Sequence, residues 1–166
     1  MSRGFVKEDD LEHAGTDVPE RPVSQHANYV TLNGYHQLEK LAAQLEQQRQ
    51  ILSRKKDEQA AIQQLAMVNR DLRYVAARLE SALITQPDVN SQSVVFGAMV
   101  TVEDELGNIH TYEIVGEDEA DIKANKISYT SPLSRALIGY KLDETVTWLR
   151  PAGNQILTIT AIYFAN

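Results

Sequence analysis

The feature that most constrains this chain is a run of apolar residues that repeats every three and four positions in its middle. The run consists of Leu65, Val68, Leu72, Val75, Leu79 and Ala82. Apolar residues at this spacing line one stripe of a helix, and such a stripe is typical of coiled coils, in which it packs against a second helix. A looser stripe precedes it, formed by Leu38, Leu41, Leu45 and Leu52, with Gln48 at the missing core position. The middle of the chain therefore predicts two paired helices.

Two helical segments in so short a chain most simply fold back on each other. The charged stretch 54–59 predicts the turn, and each arm would then be roughly 30–37 Å long at 1.5 Å per residue. Thr31 or Asn33 can cap the first helix, because their side-chain oxygens accept amide hydrogens. Neither Pro nor Gly marks the turn, so one continuous helix that dimerises is the alternative.

The segments around the hairpin divide the chain into four predicted regions. Residues 1–28 lack periodicity and carry Phe5-Val6 as their only apolar anchor, which predicts a flexible tail because little apolar surface offsets the entropy of ordering. The alternative for this segment is an arm that binds a partner. The hairpin then spans 29–84. A linker with Pro, Asn and Asp follows at 85–93, and the C-terminal domain covers 94–166.

The C-terminal region has short strand patterns around one helix. Strands are predicted near residues 100–102, 111–115, 127–129, 146–149 and 156–164. Ser131 can cap the helix, Pro132 suits its first turn and Gly139 can end it. Together with the hairpin, these patterns predict an α+β chain in which a bent antiparallel sheet carries one short helix.

Composition restricts the classes of function. Lys and Arg number 16 against 23 Asp and Glu, a net charge of −7, which argues against simple nonspecific binding to a nucleic-acid backbone. The chain has no cysteine, which excludes disulfides and Cys-ligated zinc and fits a reducing cytoplasm. No apolar run is long enough for a membrane span, and the first residues lack a signal-peptide core. We expect a soluble, cytoplasmic protein.

Three motifs in the C-terminal half suggest a family. They are FGAMVTVEDELG at 96–107, YEIVGEDEADIKANKIS at 112–128 and SPLSRALIG at 131–139. In these motifs the chain resembles the bacterial Gre (GreA/GreB) transcript-cleavage factors, and the resemblance extends over residues 29–166. MSRGFVKEDD and NYVTLNG are similar to a proteobacterial subgroup, so the chain is identified as a member with an N-terminal extension and a shortened coiled coil.

The resemblance implies a transcription elongation factor that binds bacterial RNA polymerase. Its C-terminal domain would be FKBP-like and would dock on the polymerase rim, while the coiled coil enters the secondary channel. There the tip acids, here Asp57 and Glu58, would help hold a second Mg²⁺ and orient water, so that the polymerase cleaves its own backtracked RNA. The factor itself would be no enzyme and have no cofactor of its own. It would act as a monomer and meet nascent RNA and DNA only within the elongation complex.

The tip departs from the usual family pattern of Asp, two residues and Glu-Asn. Here Asp57 and Glu58 are adjacent, no Asn follows, and Lys55-Lys56 precede them. This departure favours an alternative within the same class, a regulator that occupies the secondary channel without stimulating cleavage.

The docking residues match the family more closely. Ser131 and Pro132 match its Ser-Pro before the helix, and Arg135 matches the arginine that follows, so these three are expected to contact polymerase. Weaker candidates for contact with RNA or polymerase are Arg70, Arg73 and Arg78, which otherwise form a solvated flank of the hairpin. The acidic stretch 117–121 lacks the regular oxygen spacing of a calcium loop, which favours an exposed turn.

Two hypotheses from other classes remain open at this point. A prolyl isomerase would need an aromatic-lined apolar pocket, whereas the aromatic residues are mostly scattered along this chain. A purely structural coiled-coil dimer would need no polymerase. A monomer with a closed hairpin would exclude the dimer.

Overall fold

The computed structural model describes residues 18–55 and 57–165, which contain three α-helices and seven strands. The elements are β1 (Tyr29–Val30), α1 (Leu32–Ser53), α2 (Gln59–Ser81), β2 (Leu83–Ile84), β3 (Met99–Asp104), β4 (Ile109–Val115), β5 (Lys126–Ser128), α3 (Pro132–Leu137), β6 (Thr145–Trp148) and β7 (Gln155–Tyr163). Their contacts define a helical unit, residues 18–24 with Glu39–Glu80, and a sheet unit, Gln25–Leu38 with residues 81–165. The predicted α+β class is confirmed.

The helical unit contains most of a hairpin formed by α1 and α2. Helix α1 ends at Ser53 and α2 begins at Gln59, so the turn lies where the charged stretch predicts it. This break rules out one continuous helix. With 22 and 23 residues, the helices are about 33 and 35 Å long.

The apolar stripe of α2 is the more regular side of the hairpin. Val68 and Val75 are buried, and Leu65, Leu72 and Leu79 of the same stripe are partly buried. On α1 the stripe is interrupted, because Leu41 is exposed and the polar Gln48 stands where a core residue is expected. The packing between the helices is therefore less complete on the α1 side.

The sheet unit is built on five strands in the order β5-β4-β3-β7-β6. Strand β3 pairs antiparallel with β4 and with β7, and β6 pairs antiparallel with β7. Strands β4 and β5 are parallel, so the prediction of a purely antiparallel sheet is wrong at this edge. The physical reason is that residues 116–125, which include a 3-10 helix at Ile122–Ala124, return the chain to a point beside Glu113 of β4 before β5 begins.

The core of the sheet unit lies between the sheet and α3. Val100 and Val102 point inward from β3, as the period of two along a strand requires, and α3 adds Leu133 and Leu137. The other buried members are Val94, Ala98, Ile114, Ile127, Val146, Leu157 and Ile159. This core fixes the position of the turn that precedes α3.

A second, two-stranded sheet was not predicted. Strand β1 runs parallel to β2, with Tyr29 opposite Leu83 and Val30 opposite Ile84. The amide of Leu83 donates to the carbonyl of Asn28 at 2.8 Å. Strands of two residues have no measurable periodicity, so no sequence pattern could indicate them.

The four predicted regions remain predictions, and residues 1–17 of the predicted tail lie outside the described part of the chain. Residues 18–28 contain no helix or strand, yet Glu20 and Arg21 form ion pairs with α2, which the sequence analysis did not anticipate. Within the described residues, neither long helix has the apolar stretch that a bilayer crossing requires.

The close approach of Gly116 to β1 gives the first prediction. A Cβ atom at this position would lie 2.5 Å from the carbonyl oxygen of Tyr29, which is backbone and cannot rotate away. We expect Gly116→Ala to lower the free energy of unfolding by about 1–3 kcal/mol, because an added methyl group in a filled space forces backbone shifts.

Urea denaturation followed by the fluorescence of Trp148, the single tryptophan, measures this loss. Ala120→Ser adds one non-hydrogen atom at an exposed position and serves as the control. Equal stability of the two variants would contradict the prediction.

Candidate functional site

The turn of the hairpin holds the two predicted tip acids at its exposed end. Asp57 and Glu58 are both exposed. The amide of Glu58 donates to the carbonyl of Lys55 at 3.0 Å, and the carbonyl of Glu58 accepts from the amide of Ile62 at 3.1 Å. Glu58 therefore stands immediately before the first turn of α2, and its backbone position is set by that helix.

The described residues contain no group of three or more His, Cys, Asp or Glu side chains that could hold a metal ion. Asp57 and Glu58 provide carboxylate oxygens, which are ligands that Mg²⁺ prefers, but two carboxylates leave most of an octahedral shell unfilled. Chemically, the pair is suited to completing the shell of an ion that another macromolecule already holds.

The arginines proposed as contact residues have intramolecular partners. Arg70 donates to the carboxylate of Asp71 at 3.1 and 3.2 Å. The guanidinium of Arg73 binds the carboxylate of Glu20, and this hydrogen bonding lowers the pKa of Glu20 below its ordinary value. Arg78 is only 1% exposed, so it does not belong to a solvated flank and cannot contact RNA in this conformation.

The turn before α3 is held by a short chain of hydroxyl groups. The amide of Ser134 donates to Ser131 Oγ at 3.2 Å, which confirms the predicted cap, and Pro132 occupies the first helical turn. Ser131 Oγ also donates to Ser134 Oγ, and the buried Ser134 hydroxyl donates to the carbonyl of Ser128 at 2.6 Å. This network fixes the turn, while Arg135 is exposed on α3.

An open apolar groove of about 720 Å³ begins at this turn. Ser131, Pro132 and Leu133 line one part of it, and Trp148 and Leu149 line another. Leu149 is 63% exposed although it is apolar. An exposed apolar surface that surrounds a rigid turn is typical of a surface that binds another macromolecule.

The acidic stretch 117–121 is not uniformly exposed, which corrects the expectation of a solvent-exposed turn. Glu119 is buried, and its carboxylate accepts hydrogen bonds from the Thr31 hydroxyl, from Asn33 Nδ2 at 2.9 Å and from Lys126 Nζ at 3.3 Å. The Thr31 hydroxyl oxygen also accepts from the amide of Gly34 at 2.9 Å, so Thr31 caps α1 as predicted. The contacts of the Glu119 carboxylate are structural, since this group lies beside the start of α1.

Comparison with known proteins places these features in a family. The family described as transcription elongation factor, GreA/GreB, C-terminal, matches residues 89–164. GreA of Sphingopyxis alaskensis is 38% identical over 114 residues, which cover 68% of this chain and 72% of that protein. The chain belongs to the GreA/GreB family. Its resemblance to Gre factors in the sequence analysis is thereby confirmed.

Other Gre factors match shorter regions. GreA of Legionella pneumophila is 57% identical over 65 residues, or 39% of this chain and 41% of that protein. GreB of Pseudomonas aeruginosa is 39% identical over 101 residues, 60% of each chain. The chain therefore spans less than two thirds of these two relatives.

Solved structures similar to this chain include Gfh1 of Thermus thermophilus, with a TM-score of 0.40 and 25% sequence identity. The match covers 83% of this chain and 99% of Gfh1. The GreA/GreB factor of Nitrosomonas europaea also has a TM-score of 0.40, at 21% identity, over 82% of this chain and 99% of that one. Likeness at this level supports no inference about function.

The predicted site residues of this Gre-family chain fall into two groups. The helical unit contains Asp57, Glu58, Arg70, Arg73 and Arg78, and the sheet unit contains Ser131, Pro132 and Arg135. Sequence analysis missed Leu149 and the groove, because an exposed leucine after a strand gives no signal by itself. It also missed the burial of Glu119. The candidate caps Thr31 and Asn33 are polar groups that could bind a carboxylate, but the sequence does not say which one.

The contacts of Glu119 give the second prediction. We expect Glu119→Gln to lower the free energy of unfolding by about 1–3 kcal/mol, because the new amide group brings a donor into a buried site already filled with donors. Thermal and urea unfolding, followed by Trp148 fluorescence, measure the change.

The control is Glu105→Gln, which removes the same charge from an exposed turn and is expected to change stability by less than about 0.5 kcal/mol. A Glu119→Gln protein as stable as this control would show that the buried carboxylate is dispensable.

Proposed function

We propose that this Gre-family factor binds bacterial RNA polymerase through its sheet unit and places its helical hairpin in the secondary channel, where it stimulates cleavage of backtracked RNA. The observation that carries the proposal is the rigid Ser131-Pro132 turn at the edge of an exposed apolar groove. This turn lies within the segment that matches the GreA/GreB family, residues 89–164.

The groove supports a protein partner over a free nucleic acid. Its lining is mainly apolar, with Leu149 and Pro132 exposed beside the turn. Arg135 adds an exposed positive charge on α3, and Arg is enriched at the centres of protein interfaces. An acidic partner surface with an apolar ridge would be complementary to this combination.

The hairpin supports the second half of the proposal. It is a slender element, two helices thick, that ends in a turn with Asp57 and Glu58 exposed. In phosphodiester hydrolysis with two metal ions, added carboxylates help hold the second ion and orient the attacking water. Asp57 and Glu58 would supply these oxygens to the Mg²⁺ of the polymerase, so the factor has no nuclease activity of its own.

A second candidate function is a regulator that occupies the same channel without stimulating cleavage. The observation that favours it is the composition of the turn, in which the exposed Arg54 and Lys55 precede the two acids. Positive charges so close to the carboxylates weaken the attraction of the turn for a cation.

The third prediction tests the role of the two acids. We expect Asp57→Asn/Glu58→Gln to reduce the rate of RNA cleavage at least tenfold in backtracked elongation complexes of the cognate polymerase. A tenfold loss corresponds to about 1.4 kcal/mol of transition-state stabilisation. Binding to polymerase is expected to stay unchanged, because the variant keeps the shape of both side chains.

Glu103→Gln/Glu105→Gln removes two charges from the exposed end of the β3–β4 hairpin and is the matched control. If the wild-type protein binds polymerase but does not accelerate cleavage, the non-cleaving regulator replaces the first proposal.

The fourth prediction tests the groove. We expect Leu149→Asp to raise the Kd for RNA polymerase at least tenfold, since a buried carboxylate would oppose an apolar contact at the centre of the interface. Leu106→Asp places the same charge at a leucine that is 88% exposed, in the turn between β3 and β4, and should leave the Kd unchanged. Titration of fluorescently labelled factor with polymerase measures both values, and equal affinities would refute this docking surface.

A further inference from the structure

The helical unit contains a second open apolar groove, between α1 and α2 in the half of the hairpin nearer the turn. Its volume is about 480 Å³, and Leu45, Ile51 and Leu52 of α1 face Met67, Val68 and Asp71 of α2 across it. Ile51 and Met67 are 53% and 44% exposed. The groove is open where Gln48 replaces an apolar residue of the stripe.

One stripe of α2 connects this groove to the N-terminal segment. Gln64, Met67, Asp71 and Tyr74 are spaced at three, four and three residues, so they follow one face of the helix. Gln64, Met67 and Asp71 line the groove. At the other end of the stripe, the Arg21 guanidinium pairs with Asp71 at 3.3 Å and lies 3.8 Å from the centre of the Tyr74 ring.

The N-terminal segment is thus anchored at the end of the groove. Glu20 pairs with Arg73, and Arg21 pairs with Asp71, which lines the groove. The chain that precedes residue 20 is therefore attached beside the groove. Seventeen residues, 1–17, lie beyond the described part on this side.

We propose that the groove is the docking site for residues 1–17 of the same chain, and that Phe5 and Val6 fill it. The groove is about 10 Å long from Asp71 to Gln64, at 1.5 Å per helical residue. The residues that connect Val6 to Arg21 can span up to about 50 Å when extended, so the segment reaches every part of the groove.

Charge complementarity supports this occupant. Residues 1–17 contain 2 Lys/Arg and 5 Asp/Glu, whereas Glu39–Glu80 contains 8 Lys/Arg and 6 Asp/Glu. The segment is therefore acidic and the hairpin is basic. Phe5-Val6 is the apolar pair nearest the start of this acidic segment, and a phenylalanine with a valine suits a groove lined by leucine, isoleucine and methionine.

Disulfide capture within the chain tests the proposal, because the wild-type sequence has no cysteine. One protein carries Gly4→Cys with Gln64→Cys, which lines the groove. Its matched control carries Gly4→Cys with Gln63→Cys, the exposed neighbour that does not line it. We expect the intramolecular disulfide to form at least fivefold faster with Gln64→Cys.

Equal rates for the two proteins would overturn the proposal. Disulfide-linked dimers that increase with protein concentration, in place of the intramolecular bond, would also overturn it and would assign the groove to a second copy of the chain.

A second measurement uses the full chain without cysteines. Phe5→Asp/Val6→Asp is expected to shift the methyl resonances of Ile51 and Met67 but not that of Ile122, which is exposed in the sheet unit. Ser2→Asp/Thr16→Asp adds the same charge elsewhere in the segment and should leave all three resonances in place. Unchanged Ile51 and Met67 resonances in the first variant would refute the docking. Both experiments omit polymerase, so their outcome is independent of the proposed function.

Discussion

The buried carboxylate of Glu119 is the interaction on which the arrangement of the sheet unit depends. It binds donors from two segments that are far apart in the sequence, Thr31 and Asn33 before and within α1, and Lys126 at the start of β5. A buried charge is tolerated only when hydrogen bonds and a counter-charge replace its hydration. The positive end of the α1 helix dipole adds to this stabilisation, since the carboxylate lies at the first turn. The start of the first long helix is thereby fixed to the edge of the main sheet.

The two surfaces that are proposed to be functional lie on separate elements of the chain. The turn of the hairpin presents two carboxylates and owes its position to helix geometry alone. The Ser131-Pro132 turn is held by a hydroxyl network and by the core beneath α3. Different contacts hold the two surfaces, so substitutions can be designed that alter one while the other stays intact.

Local patterns in the sequence predicted the local parts of this structure. The stripe from Leu65 to Ala82 predicted α2. The cap at Ser131 was predicted correctly, and Thr31 was one of two predicted candidates for the cap of α1, because capping depends on residues three positions apart. The parallel β4–β5 pair, the β1–β2 pair and the burial of Glu119 depend on residues that are distant in sequence. No periodicity records such contacts. The same limit applies to both grooves, since a groove is a shape formed by several segments together.

The pairing of β1 with β2 closes one long loop of the chain, and this loop contains the whole hairpin. Tyr29 and Leu83 lie side by side, and the 53 residues between them leave and return at one point. Closing a loop becomes only about 0.6 kcal/mol harder for each doubling of its length. Seven residues removed from or added to both arms would keep the apolar stripes in phase, because the stripes repeat every seven residues. The length of the hairpin can therefore change during evolution while its base, where β1 pairs with β2, remains the same.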